Sequence, residues 1–162
     1  MIVVADASPL IFLGKLAKLG LVSTLFPGEL LVPGAVRDEV LGPRLPPAEE
    51  RVLTTFLSQH TVVSVKRRRH FAAAMSLADN EALTLALRRR ADFLLADERL
   101  LRALARVEGI HPVGTLGVLL RAKRAALITP QDVRRLVDTL IREHAFRIGI
   151  EVYQAVLSEI EA

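Results

Sequence analysis

Four acids stand where this chain has the means to do chemistry: Asp6, Glu39, Glu81 and Asp97. Asp6 closes the apolar run "IVVAD", and Asp97 closes "ADFLLAD". Glu39 lies in the short stretch "PGAVRDEVLG", which follows a second apolar run, "ELLVP". Glu81 lies in the first turns of "SLADNEALTLALRRR". If neighbouring strand ends bring these carboxylates together, they cannot all ionise without help, because like charges raise one another's pKa. A hard divalent cation, Mg²⁺ or Mn²⁺, resolves that conflict by taking oxygen ligands and waters. The chain has no Cys, and its His residues, at 60, 70, 111 and 144, follow no zinc spacing. Oxygen ligands are therefore the ones on offer for a metal.

Each acid also has a plainer reading. Asp6 and Asp97 are of the type that caps a following helix. Glu39, beside Asp38, suits a solvated helix face, and Glu81 suits the first-turn position that complements the helix dipole. Asp79 fits a Ser-x-x-acid capping box in "SLAD". Asp92 and Glu98 flank a strand as solvated residues.

The elements that must position these acids follow from apolar patterning. "IVVAD", "ELLVP", "TVVSV" and "ADFLLAD" read as short buried strands rich in branched residues. In "SPLIFLGKLAKLGLVSTLF", Ser8 suits an N-cap and Pro9 the first helical position, and Leu10, Leu13, Leu16 and Leu19 recur at helical spacing, with a break expected at Gly20. Helices are predicted over "PGAVRDEVLG", "AEERVLTTFLSQ", "SLADNEALTLALRRR" and "ERLLRALARVEG", the last stopped by Gly109. "HPVGTLGVLLRAKRAALI" reads as a short extended piece and a helix. "TPQDVRRLVDTLIRE" begins with Thr129 as N-cap, and "GIEVYQAVLSEIEA" is a terminal helix. Strands alternating with helices predict an α/β/α sandwich with a mainly parallel central sheet. Such sheets bind ligands beyond the carboxyl ends of their strands.

Composition narrows the function. The 162 residues are 51% hydrophobic, which suits one domain with a full core. No apolar stretch reaches membrane-spanning length, and no secretory leader is expected. The lack of Cys fits a cytoplasmic protein. Net charge is +4 but uneven: residues 61–124 carry 13 Lys/Arg against six Asp/Glu, and both flanks are slightly acidic. A basic middle of this kind attracts a polyanion such as nucleic acid, or is a solvated surface. At 4% aromatic residues with no Trp, a base-stacking platform is not expected.

The pieces "VVADASPLIFLGKL", "LLVPGAVRDEV", "DNEALTLAL", "ADFLLADERLLRALA" and "GTLGVLLRAKRAALI", in that order, resemble the PIN-domain family, in the subgroup related to VapC-type toxin ribonucleases. The resemblance spans residues 2 to about 128 and implies a single PIN-like domain over 1–162, with a helical extension over about 129–162. Related proteins often carry Gly-Glu-x-Glu-Ala where this chain has Ala78-Asp79-Asn80-Glu81-Ala82. On that match the family's metal-binding and catalytic acids carry over onto Asp6, Glu39, Glu81 and Asp97, with Ser8 and Thr115 as supporting hydroxyls. The resemblance implies a Mg²⁺- or Mn²⁺-dependent endoribonuclease, the toxin of a toxin–antitoxin pair, with an RNA substrate, a small antitoxin partner and a homodimeric state. The backbone of the substrate would be held by Arg67, Arg68 and Arg69 in "KRRRH", and by Arg99 and Arg102 just after Asp97. The apolar stripe Ile150, Tyr153, Val156, Leu157 and Ile160 can pack on its own core or against a second chain.

Two rival readings stand beside this one. A receiver or haloacid-dehalogenase type phosphotransfer protein also puts an Asp at a strand end, but the second acid of a dehalogenase motif is Ser8 here, and "HPVGTLG" lacks the late Lys of a receiver. A PIN-like protein that binds nucleic acid without cutting it would be expected to lack some of the four acids.

Overall fold

The computed structural model describes residues 1–162. The chain divides into two compact units, Met1–Thr115 and Leu116–Ala162.

The first unit is built on five strands: β1 (Ile2–Ala5), β2 (Glu29–Pro33), β3 (Thr61–Val63), β4 (Phe93–Leu95) and β5 (His111–Val113). They form one sheet in the order β3-β2-β1-β4-β5, and every pairing is parallel. The helices are α1 (Ala7–Lys15), α2 (Gly20–Leu25), α3 (Gly34–Val40), α4 (Pro47–Ser58), α5 (Leu77–Arg88) and α6 (Arg99–Val107). This is the α/β/α arrangement expected from the alternation of elements. Parallel strands covered by helices are apolar along their length rather than alternating, which is why "IVVA" reads as a strand. Val3, Val4, Leu31, Leu94 and Leu95 are completely buried.

The chain steps outward from β1 to β2 to β3, then crosses back to β4 on the other side of β1. The switch point therefore lies between β1 and β4, and a crevice opens there at the carboxyl ends of the strands. Asp6 donates its backbone N–H to the Leu95 carbonyl at 2.8 Å, and Ala96 donates to the Val113 carbonyl at 3.0 Å. The ladders thus run one residue past each strand and stop with Asp6 and Asp97 at the rim. At the opposite end Asp92, expected to be merely solvated, accepts the Ile2 N–H at 2.8 Å.

Two helix boundaries differ from expectation. The first helix starts at Ala7 with Asp6 as N-cap, not at Ser8. It ends at Lys15 with Leu16 as C-cap, before Gly20, which instead opens α2. The closure is a Schellman motif: Lys18 N–H reaches the Leu13 carbonyl at 2.8 Å and Ala17 N–H the Gly14 carbonyl at 3.1 Å. Ala17 takes the left-handed position, φ 54°, that glycine usually occupies. Glu98, also expected to be solvated, is the N-cap of α6 and accepts the Leu101 N–H at 2.7 Å.

The second unit holds most of α7 (Thr115–Arg124), with α8 (Pro130–Glu143) and α9 (Ile150–Glu161). Thr129 caps α8 in a reciprocal box with Asp132, as expected. Arg124 pairs with Glu159, and the Lys123 ammonium donates to the Glu159 carbonyl. Of the α9 stripe, Val156 and Ile160 are buried, while Ile150 is 76% exposed. No helix is long and apolar enough to cross a membrane.

Candidate metal centre

Asp6 occupies the N-cap position of α1, yet its side chain makes no capping hydrogen bond. It is 3% exposed, and its Oδ1 is enclosed without any hydrogen-bond partner. An N-cap acid normally offers that oxygen to the first turn; here Oδ1 accepts nothing, although the Ala7 N–H lies near enough to the carboxylate to favour its charged form. Burial holds its pKa well above the ordinary 3.8, and the negative charges of Asp79 and Glu39 raise it further. The Asp79 carboxylate lies within hydrogen-bonding reach of it. Glu39 is exposed, yet partial desolvation and the same Asp79 raise its pKa too.

The acid that joins Asp6 and Glu39 is thus Asp79, not Glu81. Asp79 does serve the capping box: its Oδ2 accepts the Ser76 N–H at 3.0 Å while its own N–H donates to Ser76 Oγ. That geometry fixes the start of α5 and leaves the carboxylate facing the end of β1. Glu81, two residues on, is turned by about 200° around the helix. Its Oε2 accepts the Ala35 N–H at 3.0 Å, in the first turn of α3. Residues two apart on one helix do not share a face, so α5 can present only one of these acids to Asp6.

Asp97 stands beside this group on the adjoining strand end. Both its oxygens are gripped by Thr115, which donates its N–H to Oδ1 at 2.7 Å and its hydroxyl to Oδ2 at 2.6 Å. Burial still leaves its pKa raised, against the pull of those bonds and of the Arg102 charge. Thr115 is fully buried, as a residue committed to one partner would be. Arg102 donates to the Ala96 carbonyl at 2.9 Å, one residue before Asp97. Between them lies Gly114, where a Cβ would sit 2.8 Å from Asp97 Oδ1 and 3.0 Å from Arg102 Nη1. A side chain here would have to displace one or both groups, and "HPVGTLG" carries no local sign of that crowding.

Ser8 is half-buried in the first turn of α1 and gives no hydrogen bond to Asp6 Oδ1. Arg99 is exposed at the start of α6. Arg67, Arg68 and Arg69 are exposed on a segment that is firmly tethered to α5. Arg88 donates to the Lys66 and Arg67 carbonyls, and Thr84 Oγ1 accepts the Arg69 N–H at 2.9 Å. The Arg69 guanidinium lies 4.7 Å from the Phe71 ring centre. Arg88 is therefore committed to holding this segment, and Arg89 to Glu29 at 2.9 Å.

Whether these residues suit a cation rests on donor chemistry. No group of three or more Asp, Glu or His side chains is placed to hold a metal ion as it stands. The donor set nonetheless fits a hard cation: an enclosed carboxylate oxygen without a donor, beside two further carboxylates, with ligation left to be completed by water.

A model of the family described as DUF3368, a PIN domain, matches residues 2–162. Among solved structures, the chain is similar to a PilT N-terminus domain protein from the hyperthermophilic archaeon Sulfolobus solfataricus P2, with a TM-score of 0.55 and 12% identity over 73% of this chain and 90% of that one. At that identity the likeness speaks for the fold alone. No curated protein shows significant similarity.

Proposed function

Because the chain belongs to the PIN-domain family, whose members are generally nucleases, we propose that it is a divalent-metal-dependent endoribonuclease acting at the β1/β4 switch point. The observation that carries this reading is the enclosed, unpartnered Asp6 Oδ1 facing Asp79 and Glu39. A buried acceptor with no donor is costly in any fold, and a cation accounts for it. Asp6, Glu39, Asp79 and Asp97 would hold Mg²⁺ or Mn²⁺. A bound cation would supply Lewis acidity for the attack of water on phosphorus and for the charge on the phosphate.

The chain's own residues do the positioning. Burial keeps Asp6 short of water, and no donor competes for its Oδ1. Thr115 locks the Asp97 carboxylate in one rotamer, and Gly114 leaves room for it beside Arg102. Arg99 and Arg102 stand after Asp97 to meet the RNA backbone, and Arg67, Arg68 and Arg69 extend that positive surface from a tethered segment. A role as the toxin of a pair follows from the sequence resemblance and is tested by growth arrest on expression of the full chain, relieved by Asp6→Asn. The enzymatic reading is tested by incubating the chain with single-stranded RNA and Mn²⁺. Internal cuts that vanish with EDTA support it; a chain that binds RNA without cutting it supports the non-catalytic rival.

A further inference from the structure

Outward from the acids, at the carboxyl ends of β2 and β3, a cleft of about 390 Å³ opens between α3, β3 and the start of α5. Its size falls in the range of small-ligand sites. Val62, Val65 and Leu77 line it, and Leu77 is an apolar side chain left 50% exposed at the first position of α5. Glu81 also lines it and is only 9% exposed. One Glu81 oxygen accepts the Ala35 N–H, which anchors the carboxylate at one end.

The lining excludes two kinds of ligand. A phosphate would meet the Glu81 carboxylate, and the one cation of the lining, Arg37, is already paired with Asp38. A metal ion would find one carboxylate, because the neighbouring Asp38 is taken by the Arg37 guanidinium at 2.9 and 3.0 Å. The apolar side chains and the Glu81 carboxylate together suit a ligand with an apolar face and N–H donors along one edge. We propose that this cleft receives a guanine base of the RNA, read by the Glu81 carboxylate. Guanine alone among the four bases presents two adjacent N–H donors, N1 and N2, at its pairing edge. Adenine, cytosine and uracil set a lone-pair acceptor beside their donors and would repel the second carboxylate oxygen. Carboxylate oxygens have lone pairs to spare, so the bond from Ala35 does not prevent the contact. Single-stranded RNA is commonly read in this way, through pairing edges of unstacked bases.

The position suits a nucleotide close to the cut. Strands β2 and β3 lie about 5 and 10 Å from β1, so a base in the cleft belongs to a near neighbour of the phosphate held at Asp6. The inference rests on the nuclease reading for its substrate, and it reassigns Glu81 from metal ligation to base recognition.

The test is fluorescence anisotropy with the full chain carrying Asp6→Asn, so that the RNA stays intact. The probes are short labelled oligouridylates with one central G, A, C or U. Binding of the G probe should be about tenfold tighter than the others, the scale of one bidentate base contact. Glu81→Gln in the same background should abolish that preference, while its amide oxygen still accepts the Ala35 N–H and preserves the fold. Leu77→Ala should weaken the G probe without creating a preference for another base. Equal binding of the four probes, or a preference that survives Glu81→Gln, overturns the proposal. Cut-site mapping with the otherwise wild-type chain and Mn²⁺ separates the two claims. Cuts without regard to guanine sink the base assignment alone, whereas guanine-selective binding without cuts sinks the nuclease reading and leaves the cleft assignment standing.

Discussion

The carboxylates of Asp6 and Asp79 lie within hydrogen-bonding reach of each other across the gap between the end of β1 and the start of α5, and Asp6 Oδ1 has no donor of its own. Two acids so placed repel unless a proton or a cation stands between them.

A first prediction concerns stability and pH without metal. The pKa values of Asp6, Glu39 and Asp97 are raised in the folded chain. Such groups favour folding when protonated. Their contribution is complete below the ordinary values of 3.8 and 4.5 and is lost as pH rises through the raised ones. His60, lowered by burial, works in the opposite sense, so the diagnostic is a difference between two proteins. At neutral pH in EDTA, Asp6→Asn should melt above wild type, by roughly 2–4 °C for each kcal/mol of relieved repulsion. The gap should close as pH falls toward 4. Thermal melts from pH 4 to 8 measure it; a gap that is absent or independent of pH contradicts the prediction.

Metal should reverse that ranking. Because a ligand that binds only the folded state stabilises it by mass action, Mn²⁺ should raise the melting temperature of wild type and leave Asp6→Asn unmoved. Differential scanning fluorimetry with a Mn²⁺ titration shows which holds, and equal shifts in both proteins would count against ligation by Asp6.

Asp79 and Glu81 should separate in kinetics. Asp79→Asn keeps an acceptor for the Ser76 N–H, so the cap survives, but cleavage should fall by about 100-fold, the upper end of what losing a group at a metal site costs. Glu81→Gln should retain cleavage within about tenfold on RNA lacking guanine. Single-turnover rates on one oligonucleotide decide between them, and the reverse ranking would return Glu81 to the metal.

The grip on Asp97 gives a structural prediction. Gly114→Ala places a Cβ against Asp97 Oδ1 and Arg102 Nη1. Overpacking of this kind costs about 1–3 kcal/mol and should displace the carboxylate, lowering cleavage while the chain still folds. Circular dichroism melts alongside cleavage rates check it. Unchanged rates would show that the Asp97 geometry is not critical.

RNA affinity should depend on salt through the tethered basic segment. Replacing Arg67, Arg68 and Arg69 with Ala leaves the main-chain bonds from Arg88 and to Thr84 in place. The slope of log affinity against log salt should shrink by about 0.7 for each phosphate that an arginine no longer neutralises. An unchanged slope would assign these arginines to solvated surface.

Much of this architecture is legible in the sequence. The strand-end acids Asp6 and Asp97 stand out because parallel strands are uniformly apolar, so a terminal acid interrupts the pattern. The helix stop at Gly109 is legible because its left-handed residue, φ 79°, is a glycine. The stop at Ala17 is not, since the same closure there uses an alanine with no left-handed preference. Asp79 reads as a cap, and it is one; its second role depends on which way α5 points, which no local pattern records. Matching the family motif by its second acid selects Glu81, and only the helix phase shows that this acid faces α3.

The central claim, that Asp6 and its neighbours make a metal-dependent ribonuclease, is tested most directly by one cleavage assay. The full chain is incubated with a labelled single-stranded RNA in Mg²⁺ or Mn²⁺, in EDTA, and again with Asp6→Asn. Internal cuts by wild type with metal are expected, and none in EDTA or with Asp6→Asn. Undiminished cutting in EDTA or by Asp6→Asn, or intact RNA under every condition, would contradict it.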